Sequence, residues 1–370
     1  MRQRWPRLQT GGGTAKNGSR LSWEKLIFLE GLMENTHLFG SLKPIQRTNF
    51  RNHPQKKIED TKKKHGASNM ESTNQLNANH SSDNQSSAIH AITVIGGGTM
   101  GNGIVHVAAM SGFPVTLVET KQAYADRALQ TIEKNLTRMV TKEKITQEQM
   151  DQTLERIQIS LDPAEAVANT DLVIEAIPEQ FELKRSLFET LDQHAPAHTI
   201  LASNTSSISI TKLAACTRRP RNVIGMHFFN PVPVMKLVEV IRGLETSDEV
   251  TQAVTDLASK MGKVPVPAND SPGFVSNRVL MPMINEAIFA VYEGVATAEH
   301  VDQVMKLGMA HPMGPLRLAD FIGLDVCLDI LHVLYDGFRD PKYRPCPLLV
   351  KMVDAGKLGN KTGEGFYTYG

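Results

Sequence analysis

Cysteine is scarce: Cys216, Cys327 and Cys346 are the only three in 370 residues. They are widely spaced and odd in number, so they outline neither a disulfide framework nor a set of zinc ligands. No metal is therefore expected, and a reducing compartment is the simplest setting. Runs of 18 apolar residues are also missing, so no membrane span is expected. The net charge is only +1, yet it is unevenly spread. Lys and Arg outnumber Asp and Glu by 14 to 7 over residues 1–90, which leaves 26 against 32 for residues 91–370. That mildly acidic part has no general basic surface, which argues against a nucleic-acid partner.

Residues 1–88 differ from the rest. Met70 to Ser87 is rich in Asn, Ser and Gln and has no aromatic residue. Such a stretch cannot bury enough surface to offset its ordering entropy, so a disordered extension is expected. Trp23 to Leu38 is its one apolar patch and reads as a short helix. Arg2, Arg4, Arg7 and Arg20 precede the first acid, Glu24, a bias compatible with an organelle transit peptide. The plainer alternatives are a disordered tail, or an upstream segment with Met70 as the natural start.

Pattern begins near Ile89. Short apolar runs at Ala91–Ile95, Val115–Val118, Leu172–Ile177, Ile200–Ala202 and Val223–Met226 read as buried strands. Helical patterns alternate with them, including long polar ones from Lys121 to Lys142 and from Thr146 to Arg156. Two later strands, near Lys236–Ile241 and Val264–Pro267, bracket a further helix. Alternating strand and helix predicts a parallel sheet covered on both faces. From Ser271 onward only helical patterns remain, with candidates at Met281–Tyr292, Ala298–Leu307 and Leu318–Tyr335. The fold class is α/β: a Rossmann-type nucleotide-binding domain over 89–270, then an all-helical C-terminal domain over 271–370.

Gly96-Gly97-Gly98-Thr99-Met100-Gly101 matches G-x-G-x-x-G between a strand and a helix. The first glycine permits a tight turn, the second lets a pyrophosphate approach the backbone, and the third lets helix and strand pack closely. The helix N-terminus then offers free N–H groups to the phosphates. Glu119 ends the next strand. A carboxylate there binds ribose hydroxyls and repels a 2′-phosphate, so the expected cofactor is NAD rather than NADP.

The densest segment runs Gly225-Met226-His227-Phe228-Phe229-Asn230-Pro231-Val232-Pro233-Val234-Met235-Lys236-Leu237-Val238-Glu239-Val240. Imidazole titrates near neutral pH and suits removal of a hydroxyl proton. A carboxylate partner fixes its tautomer and stabilises the imidazolium. His227 and Glu239 can form that pair if their strands make an antiparallel hairpin. The register that opposes them centres the connection on Pro233, where the chain is least able to continue a ladder. Opposed side chains then start from Cβ atoms about 5 Å apart. His106, His300 and His311 lack any such context and read as structural.

This segment resembles the signature of the L-3-hydroxyacyl-CoA dehydrogenases, nearest to bacterial short-chain 3-hydroxybutyryl-CoA dehydrogenases. The likeness runs from about Ile92 to Tyr369. It includes Ala202-Ser203-Asn204-Thr205-Ser206-Ser207, Ser271-Pro272-Gly273-Phe274, Met313-Gly314-Pro315 and Lys361-Thr362-Gly363-Glu364-Gly365-Phe366-Tyr367. The resemblance implies reversible oxidation of a 3-hydroxyacyl-CoA, with His227 as base and Glu239 as its partner. It implies that Ser206 bonds the substrate oxygen, that Asn277 orients substrate, and that Glu179, Lys184, Ser206, Asn230 and Lys361 lie near the nicotinamide half of the cofactor. It places Asn135 and Lys142 at the coenzyme A, on a stretch that also holds Lys134, Arg138 and Lys144. It implies a homodimer, and a place in fatty-acid or butanoate metabolism. One family feature is altered, since Glu119 stands where Asp is commoner.

The residues taken alone leave alternatives. Ser206 also reads as a helix N-cap, Asn277 as a helix-face hydrogen bond, and Glu179 with Lys184 as a solvated helix pair. A β-hydroxyacid dehydrogenase with a lysine base, or a non-catalytic NAD-binding protein, would share the two-domain plan. Location in the cytoplasm is expected, or in the mitochondrial matrix if the N-terminal segment is a transit peptide.

Overall fold

The apolar runs become strands because Val, Ile and Leu crowd positions that helices cover from both sides. The computed structural model describes residues 89–370. The short helix over Trp23–Leu38, the transit-peptide reading and the Met70 start all fall on residues 1–88, outside the described residues.

The chain order is β1 (Ile92–Ile95), α1 (Thr99–Met110), β2 (Val115–Val118), α2 (Gln122–Thr141), α3 (Gln147–Glu155), β3 (Ile157–Ser160), α4 (Pro163–Ala166), β4 (Leu172–Glu175), α5 (Phe181–His194), β5 (Ile200–Ser203), α6 (Ile210–Ala214), β6 (Val223–Phe228), β7 (Leu237–Arg242), α7 (Asp248–Lys260) and β8 (Val264–Asn269). The eight strands form one sheet in the order β3-β2-β1-β4-β5-β6-β7-β8. Every pairing is parallel except β6 with β7. Alternation along the strands fills two cores. Ile92 and Val94 join Leu117, Ile174 and Val240 under α1, α2 and α7. Ile95 joins Val173, Leu201 and Ile241 on the opposite face, under α5 and α6.

The β8 edge is blunted by proline. Val264 N donates to Lys236 O, so N–H groups at alternate positions point towards β7. Pro265 and Pro267 stand where an N–H would point outward, and the free edge loses those donors.

Five helices follow: α8 (Ser276–Tyr292), α9 (Ala298–Gly308), α10 (Pro315–Ile322), α11 (Leu324–Phe338) and α12 (Pro347–Asp354). They enclose a third core of Met281, Ile284, Leu316, Leu331 and Leu349 among others. The sequence pattern reads one helix from Leu318 to Tyr335, whereas the structure breaks it at Gly323. That residue adopts φ +108°, outside the helical range, and its N–H closes α10 onto Ala319 O. The apolar period continues across the break because both helices face the same core. Among the described residues, no helix is long and apolar enough to cross a membrane.

Candidate active site

The strand order reverses beside β1, with β2 on one side and β4 on the other. Ligands of open α/β sheets bind at such a point, beyond the carboxyl ends of the strands. The glycine loop lies there. Gly96 turns with φ +97°, a conformation open to glycine. A Cβ on Gly101 would sit 1.7 Å from Gly96 O, so helix and loop touch backbone to backbone. A Cβ on Gly98 would meet nothing within 4 Å. That opening lies before the first turn of α1, which holds no acidic residue and has no side-chain cap. The space, the free N–H groups and the helix dipole fit a pyrophosphate. Glu119 hangs over the same loop, and its Oε1 accepts from Gly97 N at 2.6 Å. These features fit a dinucleotide. Thr99 and Met100 supply the first two residues of α1.

Further along the carboxyl edge lies the expected hairpin. β6 and β7 pair with His227 opposite Glu239. His227 Nδ1 lies 2.8 Å from Glu239 Oε2, in a nearly buried contact. The Phe229 and Phe274 rings flank the imidazole at 4.6 and 5.9 Å between centroids. No described residue hydrogen-bonds His227 Nε2, which leaves that nitrogen free for a substrate proton. The carboxylate is held from the other side by α8. Its Oε1 accepts from Ser276 N at 2.9 Å and Val275 N at 3.3 Å, and its Oε2 accepts from Ser276 Oγ at 2.8 Å. Burial alone would raise the Glu239 pKa. The hydrogen bonds from His227 and Ser276 outweigh it and hold the carboxyl below its ordinary range. Glu239 thus stays ionised and caps a helix that has no side-chain cap of its own.

The same helix start reaches the next predicted residue. Asn277 Nδ2 donates to Ser206 O at 3.2 Å. Ser206 is no N-cap, because Ser209 caps α6. Its loop is gathered by Glu179, whose Oε1 accepts from Ser206 N, Ser207 N, Ser207 Oγ and Thr205 Oγ1. Lys184 follows at 3.3 Å from Glu179 and 2.5 Å from Glu175, with only 1% of its side chain exposed. Lys184 is therefore buried against Glu175 at the end of β4, and Glu179, with 37% of its side chain exposed, sits at the rim of this network, so the two are not a solvated helix pair. Hydrogen bonds and contacts thus join His227, Glu239, Asn277, Ser206, Glu179 and Lys184 in one chain.

Other predicted residues stand apart from it. Asn230 is exposed just beyond β6 and precedes a cis peptide to Pro231. Lys361 pairs with Asp325, at the start of α11, at 2.5 Å. Asn135 and Lys142 lie on and just after α2, seven residues apart and so on one face. No hydrogen bond or ion pair joins either to His227. His106 is fully buried in α1 with both ring nitrogens unpartnered. Burial, then the charge of Lys263, pushes its pKa down to about 4, so it stays neutral.

Sequence reading missed two residues. Lys263 is buried and donates to Val232 O and, at 2.9 Å, to Met235 O, clamping the turn between β6 and β7. Its signal was weak, since a lone lysine before a strand is usually solvated. Ser276 was missed because only the fold brings α8 to Glu239.

A doubly wound sheet with an open glycine loop, and a histidine–carboxylate pair on the same edge, is the plan of a nicotinamide-dependent dehydrogenase. Comparison with known proteins narrows the class. Residues 91–271 match the family model for the 3-hydroxyacyl-CoA dehydrogenase NAD binding domain, and residues 273–369 match that for its C-terminal domain. The chain is 58% identical over 281 residues to a probable 3-hydroxybutyryl-CoA dehydrogenase of Bacillus subtilis (strain 168), covering 76% of this chain and 98% of that one. It is 44% identical over 284 residues to the mitochondrial hydroxyacyl-coenzyme A dehydrogenase of Homo sapiens, covering 75% of this chain and 90% of that one. The crystal structure of (S)-3-hydroxybutyryl-CoA dehydrogenase from Ralstonia eutropha superposes with a TM-score of 0.75 at 49% identity, over 76% of this chain and 100% of that one. The chain belongs to the 3-hydroxyacyl-CoA dehydrogenase family, and its cofactor is NAD.

Proposed function

We propose that this chain oxidises the 3-hydroxyl of an L-3-hydroxyacyl-CoA, with 3-hydroxybutyryl-CoA as the preferred substrate, and reduces the ketone in reverse. The observation that carries the reading is the buried His227–Glu239 contact with Nε2 left free. His227 Nε2 takes the proton of the substrate hydroxyl, and Glu239 stabilises the imidazolium that results. NAD, when bound, accepts the hydride from C3. Ser206 has no hydrogen bond from its hydroxyl to a described residue, and it is assigned to the substrate oxygen. Asn277 is assigned to substrate orientation from the adjoining helix. Glu179, Lys184, Asn230 and Lys361 are assigned to the nicotinamide side, and Asn135 and Lys142 to the coenzyme A. Residues 89–270 form the NAD-binding domain in this reading, and residues 271–370 the acyl-binding and dimerisation domain. Free cysteines at 216, 327 and 346 suit a reducing cytoplasm.

The test is NADH absorbance with acetoacetyl-CoA, against free acetoacetate and against NADPH. Turnover with the thioester and NADH is expected, with much weaker use of the other two. A preference for free acetoacetate would move the chain to the β-hydroxyacid dehydrogenases. Equal use of NADPH would remove the role given to Glu119.

A homodimer through the helical domain is part of the proposal. Val279 and Val295 are 68% and 74% exposed, and Val304 and Leu307, one turn apart on α9, are 62% and 84% exposed. These apolar side chains are the ones such an interface would cover. Light scattering should give twice the chain mass; a single-chain mass at micromolar concentration would refute it.

A further inference from the structure

Glu239 Oε2 is shared. It takes the His227 ring at 2.8 Å and the Ser276 hydroxyl at 2.8 Å. A carboxylate only accepts, so the Ser276 Oγ–H must point at it. The hydroxyl is not spent on the helix: Val275 holds the N-cap position of α8, and Glu239 itself takes the N–H groups of that end. We propose that Ser276 is a positioning residue for the catalytic pair, whose hydroxyl sets how strongly Glu239 holds the protonated imidazole. The inference rests on the dehydrogenase reading above.

The sign follows from charge. A hydrogen bond donated to an ionised carboxylate draws negative charge away from its other partner. With Ser276 present, the imidazolium is held less tightly and gives up its proton more readily. Without it, Glu239 acts on His227 at full strength. No further charge among the described residues makes a hydrogen bond or ion pair with Glu239: Lys263, buried just before β8, spends its ammonium on Val232 O and Met235 O. β8 sets the uncharged Val266 opposite Glu239. Lys212 on α6, Asp248, Glu249, Asp256 and Lys260 on α7, and Arg278 on α8 are all exposed to solvent. On β7 itself, Arg242 pairs with Asp248. His227 is the one titratable group in hydrogen-bond contact with Glu239 among the described residues.

The location also matters. Ser276 and Asn277 are consecutive, so one helix turn touches both the carboxylate of the pair and the Ser206 loop. The tuning hydroxyl arrives with the helical domain, while His227 and Glu239 belong to the sheet.

Ser276→Ala and Ser276→Thr test the proposal. Oxidation needs neutral His227 and reduction needs its protonated form. The acid limb of the oxidation profile and the alkaline limb of the reduction profile should therefore both move to higher pH in Ser276→Ala, by about half a unit. Ser276→Thr should restore both. The Glu239 carboxyl resonance, followed by NMR without substrate, should titrate at higher pH in the alanine variant, because a donor that lowers its pKa is gone. Ser276→Cys keeps the shape with a weaker donor, so it should move the limbs in the same direction and serve if the alanine variant fails to fold. Unmoved limbs, or a threonine variant that behaves like alanine, overturn the proposal. A wild-type protein that turns over no acyl-CoA would defeat the dehydrogenase reading alone. The Glu239 titration would then decide for or against Ser276.

Discussion

Replacing His227 with Gln should lower kcat by about 10³-fold, within the range that a positioned base contributes. The change is close to isosteric, and the amide N–H can still donate to Glu239, so the hairpin should keep its register. NADH affinity should stay within about twofold of wild type, because the cofactor loop lies three strands away across β4 and β5. The measurement is NADH binding by fluorescence beside turnover with acetoacetyl-CoA. Retention of a tenth or more of wild-type turnover would remove His227 from the role of base. A joint loss of turnover and NADH binding would point to damaged folding instead.

The pairing that this experiment probes was legible in the sequence. Pro231 and Pro233 mark where the ladder must stop, and the side chains that need to meet are equidistant from Pro233. The register of β6 and β7 then follows from arithmetic and the period of a strand. The glycine loop was equally legible, since Gly96 and Gly101 answer to local backbone demands. Other features depend on contacts far apart in the chain. β3 is an edge strand whose Ile157 and Ile159 are only half-buried, so it lacks the apolar run that marks the central strands. The break at Gly323 hides inside a continuous apolar period. α12 is short and follows a proline-rich connection. Lys184 and Ser276 look like ordinary helix residues until the sheet sets Glu175 and Glu239 against them. Sequence periodicity reports which face is buried; it does not report what waits on the other side of the interface.

The cofactor loop yields a contrast that separates folding from function. Gly101→Ala would place a methyl carbon 1.7 Å from Gly96 O and 2.8 Å from Gly96 C. Backbone on both sides leaves nothing flexible to yield, so α1 must retreat from the end of β1. A cost on the order of 2 kcal/mol is expected, with Tm lower by about 5 °C and NADH binding lost together with it. Gly98→Ala should behave in the opposite way. Its φ of −60° and ψ of −168° suit any residue, and its Cβ would meet nothing within 4 Å. Tm should therefore stay within about 2 °C of wild type. Yet the methyl would enter the space through which the pyrophosphate approaches the N–H groups of α1, and NADH affinity should fall by about 10²-fold. Thermal unfolding and NADH titration of the two variants, side by side, check both expectations. Normal NADH binding by Gly98→Ala would show that the phosphates do not lie against this turn.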